Sequence, residues 1–253
     1  MENNSNFNEE QNELWESYFY PNTEVFINKK GITDDSELYK CEREYTDLRT
    51  RELHDNPIEG NFDIKHLCDI HRYIFGDLYD WAGEFRKVYM KKNDGSYFSP
   101  VSKIEFNLQD NINIMRTGMK NAYNKETLAK FVTECYVAFL NTHPFREGNG
   151  RAVREFLREY VVNKTELIWG EAYDIDWSRV NSKVVDELMP FGRAYSGAIA
   201  LEIEKAIIPF EKRNVIKYGI SPSFKARIYW LNKSQPKPEF VVSLEPLFWA
   251  MDQ

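Results

Sequence analysis

The stretch HPFREGNGRAVR, residues 143–154, decides how the rest of the chain is interpreted. Its Gly148, Asn149 and Gly150 stand where a loop meets the predicted N-terminus of a helix. Glycine permits backbone conformations that aim successive N–H groups at one point. The helix end adds unsatisfied donors and partial positive charge. The stretch therefore predicts an anion site of the size of a phosphate group.

Two arginines strengthen that prediction. Arg151 and Arg154 are three residues apart at the start of the predicted helix, so they share one face. Their planar guanidinium groups suit phosphate oxygens. The apolar residues Val153 and Phe156 point the other way, into the core, so we expect no packing role for the two arginines.

A base and a metal ligand lie beside the glycines. Glu147 is a single carboxylate next to the predicted phosphate site, which is how proteins usually hold Mg²⁺. His143 ends an apolar helix, and a neutral imidazole there could take a proton from a hydroxyl. Together these groups predict a site for phosphoryl or nucleotidyl transfer.

Each of these features also has a plainer interpretation. A histidine at a helix C-terminus is often only a cap, and a GNG tripeptide is often only a turn. Their coincidence within one stretch favours a functional site. The pattern GxxxxGK[ST] is absent from the sequence, so a P-loop nucleotide site is excluded.

Helical periodicity surrounds this stretch on both sides. Apolar residues recur every three or four positions in several segments, which predicts a mostly helical domain. The predicted helices cover residues 34–53, 62–76, 99–123, 124–142, 150–163, 176–189 and 191–210.

One segment has strand character instead. In RKVYMKKNDGSYFSP, residues 86–100, the pair Asp94-Gly95 is a hairpin turn signal between short apolar arms. A small β-hairpin is predicted, and its role as a passive connector stays open at this point.

Composition narrows the classes of partner and location. The formal net charge of −7 argues against a nucleic-acid or anionic-membrane partner. Three cysteines without a CxxC pair favour reduced thiols and a cytoplasmic location. The N-terminus has neither the basic nor the apolar region of a signal peptide, and no apolar run is long enough for a membrane span.

The motif and the segment GNFDIKHLCDIHRYIFGDLYDWAGEFR, residues 60–86, together resemble the Fic (Fic/Doc) family. Residues 143–154 match its signature, HxFx(D/E)GNGRxxR, at every specified position. The similarity covers roughly residues 20 to 200. It implies an all-α Fic fold, a helical bundle with a small β-hairpin flap. It also implies transfer of AMP from ATP to a protein hydroxyl, with release of pyrophosphate.

Composition and the extent of the resemblance together predict the organisation of the chain, and the resemblance implies a set of roles. Residues 1–20 would hold an N-terminal tail, about eight residues long, and a first helix; 21–200 the Fic domain; and 201–253 a helix end and a loop-rich appendage. His143 would be the base and Glu147 the Mg²⁺ ligand, and the hairpin at about 88–98 would dock the target by strand addition. The implied phosphate-binding residues are Gly148, Asn149, Gly150, Arg151 and Arg154, and the implied flap residues are Tyr89, Gly95 and Phe98.

Several alternatives stay open within this resemblance. Some family members transfer phosphate or phosphocholine instead of AMP. Those that transfer phosphate carry a lysine where Gly150 stands, so AMP transfer is favoured. A catalytically silent nucleotide-binding module would be expected to lack His143 or Glu147. Toxin-like relatives modify DNA topoisomerases and secreted effectors modify host GTPases; an intracellular bacterial toxin is favoured, with its target unidentified.

A regulatory element of the family has no full match in the chain. Fic proteins are inhibited by a helix with the pattern [ST]xxxE[GN], whose glutamate pairs with the second motif arginine, here Arg154. The nearest segment is DNPIEGN, residues 55–61, where Asp55 replaces Ser or Thr and Pro57 disfavours a continuous helix. We therefore expect the inhibitory glutamate on a separate small antitoxin rather than at Glu59.

Overall fold

The computed structural model describes residues 2–92, 95–188 and 196–210. One of the two predicted turn residues, Asp94, and the predicted appendage at 212–253 lie outside the described residues. Within the described part, no helix is long and apolar enough to cross a membrane.

The described residues form eight α-helices and one two-stranded antiparallel sheet. The strands are β1 (Tyr173–Ile175) and β2 (Ile207–Pro209), with Asp174 paired to Ile208. Short 3₁₀ turns occupy Val101–Lys103, Met119–Asn121 and Trp177–Arg179. The helices are α1 (Glu2–Glu16), α2 (Asp35–Asp55), α3 (Ile64–Phe75), α4 (Ile104–Gly118), α5 (Lys125–Thr142), α6 (Asn149–Trp169), α7 (Ser182–Leu188) and α8 (Ser196–Ala206).

Helix α5 is the centre of the domain. Its N-terminus is fixed by a capping box in which Asn124 and Thr127 satisfy each other's backbone N–H groups. Its apolar stripe, including Leu128, Val132 and Phe139, is fully buried, and it packs against α4, α6 and α8. Because α5 is buried on most of its surface, the motif that follows its C-terminus begins next to the packed core.

The predicted hairpin is present, with its two arms paired at Lys91 and Tyr97. The N–H of Phe98 donates to the carbonyl of Met90 (3.1 Å), and the N–H of Lys92 donates to that of Ser96 (2.7 Å). The predicted fold class, all-α with a small hairpin, is confirmed.

Three local predictions were wrong. The N-terminal tail is helical from Glu2 onward. The predicted helix at 176–189 is a 3₁₀ turn followed by α7, because Asn181 starts a new helix by accepting from the N–H of Val184. The predicted helix at 191–210 ends at Ala206, where Ile207 and Ile208 continue as β2. β-branched residues fit a pleated strand, and β1 supplies a partner that local periodicity does not show.

Candidate active site

The loop between α5 and α6 holds the motif in a fixed turn. His143 ends α5 in the left-handed region, with φ of 50°. The side chain of Asn149 then bridges the loop, because its Oδ1 accepts from the N–H of Phe145 and its Nδ2 donates to the carbonyl of Phe145, both at 2.8 Å. The side chain of Asn149 is thus structural, so any phosphate contact would come from its backbone N–H.

Gly148 opens α6 at a place that no side chain can occupy. Its φ is +79°, and a Cβ there would lie 2.1 Å from Cζ of Phe75. The tight approach leaves the amide groups of Asn149, Gly150 and Arg151 at the start of the helix, where none donates to a described residue. These three N–H groups and the helix dipole are suited to hold an anion, and the anion site itself stays a prediction.

His71 of α3 packs against this loop and holds it in place. The sequence analysis did not predict this role. The N–H of Gly83 donates to its Nδ1 (2.8 Å), so Nε2 carries the proton and donates to the carbonyl of Glu147 (2.9 Å). Its ring stacks on Phe145 with centroids 3.8 Å apart. Burial lowers the pKa of His71 to about 4, so the ring stays neutral and keeps this tautomer.

His143 lies beneath the hairpin. Its ring stacks on Phe98 with centroids 3.8 Å apart. Burial and then the charge of Arg86 lower the pKa of His143 to about 4. The imidazole is therefore neutral at pH 7, which is the form a general base needs.

Glu147 is the carboxylate of the motif, and its surroundings fit a single-carboxylate magnesium site. Its side chain is 44% exposed. Oε1 accepts from the N–H of Gly148 (2.9 Å) and lies 3.4 Å from Nη2 of Arg151, while Oε2 has no hydrogen bond to a described residue. No three His, Cys, Asp or Glu side chains cluster as a metal site within the described ranges. Mg²⁺ that takes one carboxylate, water and phosphate oxygens fits this arrangement.

The two motif arginines differ, and for Arg151 the expectation of no packing role is wrong. Its Nη2 pairs with Oε1 of Glu42 (2.6 Å), its Nη1 donates to Oγ1 of Thr46 (3.2 Å), and its guanidinium lies over the ring of Phe75 (4.6 Å). Arg154 donates only to the hydroxyl of Tyr136 among described residues, at 3.2 Å. Arg151 is thus preorganised by α2, whereas Arg154 keeps most of its donors available.

A cleft of about 340 Å³ opens beside Arg154. Trp177 forms one wall and donates its indole N–H to the carbonyl of Arg154 (3.1 Å). The other lining residues are Tyr136, Ser178, Val180, Ser182 and Val185. The cleft combines an apolar wall with one guanidinium group.

The predicted flap residues Tyr89, Gly95 and Phe98 all belong to the hairpin. The hydrogen bonds of Met90 and Lys92 point to the second arm, so the backbone groups of Tyr89 and Lys91 face the outer edge. The N–H of Tyr89 already donates to Oε1 of Gln11 on α1 (3.1 Å). Gly95 has φ of +81° and is exposed. A target strand that paired with Tyr89 would therefore have to displace Gln11.

Helix α1 also covers Arg146, which occupies one of the unspecified positions of the motif. Arg146 is 6% exposed and its Nε has no hydrogen-bond partner among the described residues. Its guanidinium lies 4.1 Å from the ring centroid of Trp15 and 4.8 Å from that of Phe26, with Tyr18 and Phe19 slightly farther away. Aromatic faces attract a cation, so this cage holds the loop against the N-terminal segment.

Glu59, the nearest internal match to an inhibitory glutamate, is exposed and makes no ion pair or hydrogen bond with Arg154. The inhibitory pairing is therefore not present within the described part of the chain.

Comparison with known proteins shows what the chain is similar to. The family model described as Fic/DOC family matches residues 61–161. The chain is 36% identical over 165 residues to "Protein adenylyltransferase VbhT" of Bartonella schoenbuchensis, covering 64% of this chain and 33% of that protein. It thus spans about a third of VbhT.

Two further matches cover most of the related chain. The chain is 31% identical over 188 residues to "Probable protein adenylyltransferase y4lH" of Sinorhizobium fredii, covering 72% of this chain and 88% of that protein. The crystal structure of BepC from Bartonella tribocorum with bound AMPPNP superposes with a TM-score of 0.63 at 23% identity, covering 78% of this chain and 98% of that one.

Proposed function

Because the chain belongs to the Fic/DOC family, we propose that it is a protein adenylyltransferase, which transfers AMP from ATP to a hydroxyl side chain of another protein. One observation carries the proposal: a half-buried, neutral His143 and the open N–H groups at the start of α6 belong to the same short loop. That pairing supplies a base and an oxyanion cradle side by side.

The reaction follows from these roles. Neutral His143 takes the proton of the target hydroxyl while the oxygen attacks the α-phosphorus of ATP. The bond from that phosphorus to the bridging oxygen breaks, and pyrophosphate leaves. The N–H groups of Asn149 and Gly150, with Arg151 and Arg154, hold the phosphate charge. Bound triphosphate is negative, so it raises the pKa of His143 from its low value and strengthens the base when substrate is present.

In this proposal Glu147 would hold Mg²⁺, which supplies charge neutralisation for the phosphates. Glu147→Gln keeps an acceptor for the N–H of Gly148 but removes the charge. We expect the Mg²⁺ concentration that gives half-maximal transfer to rise by roughly tenfold or more, by analogy with the loss of other metal-site interactions.

That concentration is measured by Mg²⁺ titration of AMP transfer at saturating ATP. Glu105→Gln, at an exposed position of α4, is the matched control. An unchanged titration in Glu147→Gln would assign the metal to another ligand.

For its biological role we propose a bacterial toxin held inactive by a small antitoxin, with DNA topoisomerase subunits as candidate targets. The second candidate is a secreted effector that modifies a host protein. The cleft beside Arg154 supports inhibition in trans, because a glutamate of a partner helix could pair with Arg154 while apolar side chains contact Trp177 and Val185. Glu59 is exposed and makes no ion pair with Arg154, which is consistent with inhibition in trans.

One experiment tests both parts. The purified chain is incubated with Mg²⁺, a bacterial or a eukaryotic lysate, and ATP labelled at either the α- or the γ-phosphate. We expect label from α-labelled ATP only, on bacterial proteins, without any partner protein. Label from the γ-position would mean phosphate transfer, and label only in the eukaryotic lysate would favour the effector. If the wild type is silent and Glu59→Gly is active, the inhibitory glutamate is internal.

A further inference from the structure

We propose that Arg86 is a positioning residue for this reaction, which fixes the hairpin relative to His143. The inference rests on the proposed function. Arg86 is 1% exposed and makes no ion pair with a carboxylate of the described part. A buried guanidinium without a counter-ion is costly, so its hydrogen bonds must serve a specific purpose.

Those hydrogen bonds all go to backbone carbonyls of three converging segments. Nε donates to His143 (2.7 Å) and Nη1 to Val88 (2.7 Å). Nη2 donates to Ser99 (2.5 Å) and, more weakly, to Thr142 (3.5 Å). Val88 and Ser99 are the two ends of the hairpin, and Thr142 and His143 end α5. One planar side chain therefore joins both arms of the flap to the base.

This connection matters because the target hydroxyl and the base are positioned by different elements of the fold. A segment docked on the hairpin is placed by the hairpin backbone, whereas the proton acceptor is placed by α5. A misplacement of about 1 Å between reacting groups can cost about 10²-fold in rate. The guanidinium, with five donors in a rigid fork, can fix this distance, but a lysine ammonium cannot reach all four carbonyls in the same geometry.

The charge of Arg86 acts on the base as well. Burial lowers the pKa of Arg86 to about 10, so it remains positive at pH 7. Arg146 and Lys92, both positive, also lower the pKa of His143, whereas the backbone of Leu140 raises it. Removing the charge of Arg86 favours the imidazolium, so the pKa of His143 should rise.

Two variants separate the two effects. Arg86→Lys keeps the positive charge and loses the fork geometry, whereas Arg86→Gln loses the charge. Arg179→Gln is the control, because Arg179 is exposed and pairs only with nearby Asp176 among described residues. The chain has four histidines, so the imidazole resonance of His143 can be assigned in NMR spectra by its absence from His143→Ala.

For the pKa of His143 we expect the wild-type value in Arg86→Lys and Arg179→Gln and a rise of about one unit in Arg86→Gln. His71 should keep its wild-type titration, which a general loss of structure would not allow. For AMP incorporation into lysate proteins we expect a fall of roughly tenfold or more in Arg86→Lys, with ATP affinity unchanged.

Transfer by Arg86→Lys at the wild-type rate overturns the positioning role, and an unchanged His143 pKa in folded Arg86→Gln overturns the electrostatic one. If Arg86→Gln does not fold, the rate of Arg86→Lys still decides the positioning role. Absence of label with the wild type would instead refute the proposed function, and the titration would still show whether Arg86 sets the pKa of His143.

Discussion

His143→Ala is expected to leave ATP binding nearly intact and to lower AMP transfer by about 10²–10⁴-fold. His143 is neutral and precedes the proposed phosphate site in the same loop, and its ring stacks on Phe98 of the hairpin. Without it, the hydroxyl must lose its proton to water, whereas the groups that hold the nucleotide are unaffected. Transfer is measured with α-labelled ATP, and affinity by calorimetry with a non-hydrolysable ATP analogue.

A backbone effect must be separated from the chemical one. His143 has φ of 50°, a conformation that disfavours most side chains but that asparagine adopts comparatively easily. His143→Asn therefore keeps the turn and removes the imidazole. We expect both variants to lose transfer to a similar degree. Activity in His143→Asn near the wild-type level would mean that the turn, and not the base, is what the reaction needs.

The same side chain gives a pH dependence whose sign is set by its lowered pKa. Since burial and Arg86 lower the pKa of His143 to about 4, the base is already deprotonated above that pH, so this group alone should cause no loss of transfer between pH 8 and pH 6. A bound triphosphate favours the imidazolium, so it moves the acidic limb of the pH–rate profile to higher pH. The acidic limb of the profile should therefore lie higher for transfer than for the titration of free His143.

The motif could be predicted from the sequence because its parts are adjacent in the chain. His143, Glu147 and the glycines lie on one loop between two periodic helices, so local pattern alone places them together. The hairpin was also predictable, because its turn and arms are local. The geometry of the motif loop and of the hairpin depends mainly on residues that are close together in the sequence.

The supporting residues were not predictable, because their partners are distant in the chain. Arg86 contacts His143 across 57 positions, His71 contacts Glu147 across 76, and Gln11 contacts Tyr89 across 78. A periodic pattern reports which face of a helix is buried, and it does not report which backbone group a buried side chain meets. Strand β2 was not predicted for the same reason, because α7 and α8 separate it from its partner β1 in the sequence.

Gly148→Ala should lower the free energy of unfolding by roughly 2–5 kcal/mol and abolish measurable ATP binding. The left-handed backbone at φ +79° costs a residue with a Cβ about 1–2 kcal/mol. Overpacking against the buried ring of Phe75, which a Cβ would approach to 2.1 Å, costs about 1–3 kcal/mol more. The change is measured by urea unfolding, and ATP binding by calorimetry.

Gly170 provides the matched control, because it has nearly the same φ, +74°, but a Cβ added there would have no described atom within 4 Å. Gly170→Ala should therefore show the backbone cost alone, about 1–2 kcal/mol, with normal ATP binding. The difference between the two variants isolates the contact with Phe75. If Gly148→Ala is no less stable than Gly170→Ala, the ring of Phe75 moves aside at little cost. The close approach of α3 to the loop is then not what holds the N–H groups of Asn149, Gly150 and Arg151 in place.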